Sequence, residues 1–127
     1  MAASLGTTRA NTILDALPTQ YVALSSSLPG LDGSNITEPS ASDYVRPSVT
    51  FAAASNRQRV SSSLADFISG GGNAATSTGN YAHFAIMTAA TSGTIIWRGT
   101  LSTPIAWVAG QPVEIASGQI TIGFDAT

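Results

Sequence analysis

Apolar and polar positions alternate with two different periods along the chain. Within Met1–Leu17, Ala10, Ile13, Leu14 and Leu17 recur at the spacing of one helix face. Thr7 or Thr8 is placed to cap that helix, and Pro18 to end it. From Gln20 onward the signals are those of strands. Gln20–Ser25 predicts the first, followed by a long loop, Ser26–Asp43, rich in turn formers: Pro29-Gly30, Asp32-Gly33, Asn35 and Pro39. Tyr44–Arg46 running across Pro47 into Val49–Ala53, then Arg57–Ser62 and Leu64–Ile68, predict short strands. Ser69–Gly79, with Gly70-Gly71-Gly72, predicts a flexible loop.

The second half is more regular. Tyr81–Thr88 places His83, Ala85 and Met87 on one face and Phe84 and Ile86 on the other. A turn at Ala90–Gly93 makes it a hairpin with Thr94–Leu101. Pro104 should end that strand. Ile105–Val108 and Val113–Ala116 flank a turn at Gly110-Gln111-Pro112, and Ile120, Ile122 and Phe124 alternate strictly in Gln119–Phe124. Many short strands with frequent turns predict an all-β fold, an antiparallel β-sandwich or jelly roll preceded by a short N-terminal helix. The expected organisation is an arm and helix over 1–19 and one β-sandwich domain over 20–127.

Composition narrows the function classes. The chain has 127 residues, 43% of them hydrophobic and 9% charged, with a net charge of −2. Typical globular domains carry about 25% charged residues. Its basic residues are all Arg, and Ser and Thr supply about a quarter of the chain. A surface so poor in charge is easier to keep in solution when partners cover it. No basic cluster exists to grip nucleic acid. The absence of Cys excludes disulfides and thiolate chemistry. Apolar runs such as Ala82–Met87 are far shorter than the ~20 residues of a membrane span, and no apolar signal-peptide stretch opens the chain, so neither a membrane partner nor Sec export is expected.

Candidate chemistry is sparse. His83, the single histidine, lies in an alternating apolar strand with no acid near it in sequence, and reads as structural. Asp32, Glu38 and Asp43 are the acids of the long loop; turn capping and solubility explain them better than paired-carboxylate hydrolysis. Asp32-Gly33-Ser34-Asn35 lacks the spaced ligands and terminal Glu of a calcium loop. Gly70-Gly71-Gly72 lacks the Lys-Ser/Thr of a phosphate cradle. No catalytic, metal or cofactor residue is assigned. Trp97, Trp107 and the tyrosines read mainly as core, with Trp107, between Pro104 and Pro112, the better candidate for an exposed anchor. The partner-contact candidates are Ala2, Leu5, Arg9, Ile36 and Trp107. Arg9 is the natural charged anchor of the arm, because a guanidinium grips a carboxylate bidentately.

The order of segments adds a resemblance. Tyr21-Val22-Ala23-Leu24, the loop with Pro29-Gly30 and Asp32-Gly33, Tyr44-Val45-Arg46 and Val49-Thr50-Phe51 open it. His83 to Gly93, Trp97, Gly99, Leu101, Ser102-Thr103-Pro104, Gly110 and Val113 to Ile122 continue it. Over Gln20 to Phe124 the chain resembles small tailed-bacteriophage virion proteins of the tail-fibre or structural type. That resemblance implies a virion component with a compact β domain and no known chemistry. The expected role is a non-enzymatic capsid decoration, or cement, protein: a homotrimer on the capsid surface whose partner is the major capsid protein. The alternative is a tail fibre or spike component that binds a host receptor or a host-surface glycan.

Overall fold

Strand β1 (Gln20–Ser25) is buried along almost its whole length because both its faces are covered. Strand alternation sends Val22 and Leu24 into the main core and Ala23 into a smaller cluster with Ala85 and Met87. β1 pairs antiparallel with β2 (Ser48–Val49) on one side and with β5 (Gly79–Met87) on the other. β6 (Ile95–Trp107) pairs with β5 and completes a four-stranded sheet in the order β2-β1-β5-β6. The computed structural model describes residues 3–69 and 79–124. The predicted Gly70-Gly71-Gly72 loop lies outside them.

Two short antiparallel ribbons complete the strands. β3 (Gln58–Val60) pairs with β8 (Thr121–Gly123), and β4 (Ala65–Asp66) pairs with β7 (Glu114–Ile115). Their apolar residues, including Ala65, Ile115 and Ile122, join Phe67, Trp107 and the Val22–Leu24–Ile86 face of the sheet in one core. The fold is therefore all-β and antiparallel, with one short helix, as the patterning predicts. The layer facing the sheet consists of two ribbons rather than a second continuous sheet. The smaller cluster on the other face receives Ile36, from the 26–43 loop, and Ile95.

Several predicted elements take a different form. Helix α1 (Thr7–Asp15) starts from Gly6, which supplies no side-chain cap, so neither Thr7 nor Thr8 caps it. Ala10 and Leu14 are buried and Leu17 packs on the core, but Ile13 is exposed. Such a short helix cannot stand alone. Polar ties hold it in addition: Asn11 Oδ1 accepts from Arg57 N (2.9 Å) and Asp15 Oδ1 from Ala54 N (2.8 Å). The strand expected from Tyr44 to Ala53 reduces to β2 and to bridges Tyr44–Ile68 and Phe51–Ser61. Pro47 lies between them and has no N–H for a ladder.

Pro104 does not end its strand. The β5–β6 ladder runs through Tyr81–Ile105 and resumes at His83–Thr100, so Leu101–Pro104 stand opposite Ala82 alone. Proline is tolerated here because β6 is an edge strand and this stretch is bulged. Ile105–Trp107, expected as part of a separate strand, is the end of β6.

Candidate interaction surface

The sequence-derived contact residues scatter. Leu5 and Arg9 are exposed near the start of α1, and Ile36 is half-buried against Ala23, Ala85 and Met87. Ala2 lies outside the described residues. Trp107 is the correction: it is 1% exposed, packed in the core edge-on to Tyr44 at 6.0 Å between ring centroids. Its position between two prolines suggested exposure, but β6 continues through the first proline and carries the indole inward. A stacking platform built on Trp107 is therefore ruled out.

The long loop is a fixed structure. The buried Ser25 hydroxyl donates to Ser27 O (2.7 Å) and accepts from Thr37 N (2.9 Å), closing the loop at its base. Arg98 of β6 donates to Pro29 O (2.9 Å). At the tip, Asp32 Oδ1 accepts from the Ser34 amide (3.0 Å) and hydroxyl (2.6 Å), the Asx turn its sequence suggests. These Ser34 bonds hold the Asp32 carboxyl below its ordinary value. Leu31, in the same tip, is 73% exposed.

The strongest electrostatic feature fastens this loop to the sheet. Arg46 grips Glu38 bidentately, from Nε to Oε1 (2.7 Å) and from Nη2 to Oε2 (2.8 Å). Its Nη1 donates to Ser92 O (2.8 Å) and Ala89 O (3.3 Å) in the β5–β6 turn. Tyr44 donates its hydroxyl to Glu38 Oε1 (2.6 Å) and accepts from Leu24 N of β1 (3.3 Å). Burial alone would raise the Glu38 carboxyl, but the bonds from Arg46 and Tyr44 and the Arg46 charge prevail and hold it below its ordinary value. Burial, then the adjacent carboxylate, pushes the Tyr44 hydroxyl far up. The sequence reading treated Glu38 as a solubilising loop acid and missed this pair. The available signal was two opposite charges eight positions apart in a chain with few charges.

Two concavities flank these elements. One, of about 370 Å³, lies between Val45, the Glu38–Arg46 pair and Ala90–Ser92. The other, of about 420 Å³, lies between the bulged stretch of β6 and the β7–β8 connection, with Phe84, Leu101, Glu114 and Gln119 in its lining. His83 Nδ1 meets Thr100 Oγ1 at 3.0 Å, and among the described residues no acid forms an ion pair with it. Among the described residues, no three acidic or histidine side chains gather as metal ligands, and no helix is long and apolar enough to cross a membrane.

A small antiparallel β domain, with a pinned loop on one face and a bulged edge strand, defines a β-structural module with surfaces for contact. The family is more specific. A family model described as podophage GP4 fiber I protein gp80 matches residues 2–123. The chain belongs to that family, and it is a bacteriophage virion protein of the structural, fibre type. No curated protein matches it.

Proposed function

We propose that the chain is a non-enzymatic component of a podophage tail fibre, assembled around an axis as a homotrimer. The family match over residues 2–123 carries this reading. It supports a fibre better than decoration of the capsid shell, so the major capsid protein is no longer the partner of choice. Self-association suits a chain with few charges that leaves Leu31, Val60 and Leu64 exposed.

Cryo-electron microscopy of virions labelled with an antibody to the chain tests location. Density on the tail or its fibres is expected, and label on the shell alone would overturn the proposal. Light scattering after size exclusion tests assembly: three chains per particle are expected, and a stable monomer would refute the trimer.

A further inference from the structure

The cleft beside the β6 bulge combines an apolar floor with a polar rim. Its floor is apolar: the Phe84 side chain sits over Gly99, where an added Cβ would lie 2.5 Å from Phe84 Cζ, and Leu101, Ile105 and Ile115 extend the patch. Its rim carries the Glu114 carboxylate, the Gln119 carboxamide and the hydroxyls of Ser102 and Thr103. None of these side chains takes a hydrogen bond or ion pair within the described structure. Other acids, such as Asp15, Asp32, Glu38 and Asp66, are all engaged. The bulge adds backbone groups of Leu101–Pro104 that leave the β5 ladder.

We infer that this cleft binds a neutral saccharide, the Glu114 carboxylate and Gln119 carboxamide engaging ring hydroxyls while a C–H face of the sugar rests on Phe84 and Leu101. A carboxylate accepts two adjacent hydroxyls, and a carboxamide both donates and accepts, which matches a vicinal diol. The volume, about 420 Å³, lies within the ~300–1,000 Å³ of small-ligand sites. Charge sets the class of sugar. Glu114 is the charged residue in the lining, so an acidic sugar meets a carboxylate there and no cation. An added peptide strand is a poorer occupant, because Pro104 lacks an N–H and the bulge interrupts the edge.

The inference rests on the fibre reading only for its biological setting; binding itself belongs to the chain in isolation. Amide chemical shifts of the intact chain are followed during titration with glucose, galactose, mannose, rhamnose and N-acetylglucosamine at millimolar concentrations, with glucuronate and N-acetylneuraminate as acidic counterparts. Saturable shifts confined to residues 99–105 and 114–119 are expected with at least one neutral sugar, and none with the acidic ones. Glu114→Gln and Gln119→Ala, both at exposed positions, should each weaken binding roughly tenfold, the loss of one good hydrogen bond to the ligand. The inference is overturned if no neutral sugar moves the cleft amides, if acidic sugars bind as well, or if both variants bind like the parent. Label on the shell together with saccharide binding would sink the fibre reading alone; tail label without binding would sink this inference alone.

Discussion

Removing the Glu38 carboxylate should unfasten the long loop before it unfolds the domain. In Glu38→Gln the volume is nearly unchanged, but the bidentate grip of Arg46 loses its charge and one of its oxygen acceptors. Arg46, with a side chain 10% exposed, then keeps one neutral amide oxygen at position 38 and its carbonyl partners at Ala89 and Ser92, with no counter-charge. Breaking a fully buried pair costs about 3–5 kcal/mol, because the remaining charge is desolvated without compensation. Glu38 retains 26% side-chain exposure, so water recovers part of that loss and about 2–3 kcal/mol is expected.

Equilibrium urea unfolding at neutral pH measures this cost, and hydrogen exchange locates it. The amides of Ser26 and Thr37, which close the loop base, should lose protection more than those of Val22 or Ile86 in the sheet. The pH dependence has a definite sign. The folded Glu38 carboxyl lies below its ordinary value of 4.5, so its contribution is complete above that pH and is lost as pH falls through the folded value. Glu38→Gln should therefore be less acid-sensitive than the parent below pH 4.5. A cost under about 0.5 kcal/mol, as for an exposed ion pair, would refute the reasoning, and so would unchanged acid sensitivity.

Other substitutions probe the remaining structure. Trp107→Ala should cost about 3–5 kcal/mol, much of the stability of a chain this size, and circular dichroism should find it largely unfolded; a folded, stable variant would contradict the buried position. Arg59→Met removes bonds to Ala52 O and Phe51 O (both 2.8 Å) and to Leu14 O (3.1 Å), so α1 should exchange its amides early and the domain lose about 1.5–3 kcal/mol by urea unfolding. Arg57→Gly should instead gain about 0.5–1 kcal/mol in thermal unfolding, since Arg57 holds φ at 67° and its buried Nε has no partner.

Where alternation alone decides burial, the sequence was a sufficient guide. Ala85 and Met87 do part from Phe84 and Ile86, and Ile120 and Ile122 are buried together. What failed depended on tertiary placement. A proline ends a central strand but survives in a bulged edge, and β6 becomes an edge only once β2, β1 and β5 have assembled beside it. Trp107 is buried by Tyr44 and the ribbon residues, which come from distant segments. The Glu38–Arg46 pair joins a loop to a turn that no local pattern connects. Segment order was enough to suggest the virion family, whereas composition pointed towards the shell. Composition describes the chemistry of a surface and says nothing about where on the particle that surface lies.

The placement of the charges connects these observations. Arg46, Arg59 and Arg98 each turn their guanidinium onto backbone carbonyls or a carboxylate of the same chain. Glu38 and Asp32 likewise satisfy internal donors. In most globular domains such groups face water and keep molecules apart. Here they serve as fasteners for a helix, a loop and a turn that carry too little apolar surface to hold themselves in place. Apart from a few exposed charges such as Arg9, Asp32 and Glu114, the exterior is left to hydroxyls, amides and single aliphatic side chains such as Leu31 and Leu64. Contacts made by such a surface depend on shape and on neutral hydrogen bonds, with little long-range attraction to assist them. Glu114 stands apart from this arrangement: an acid in the lining of a cleft, with its carboxylate engaged by no described group. The same low charge that leaves the outer surface suited to packing against further copies makes an unengaged carboxylate the most informative group on it.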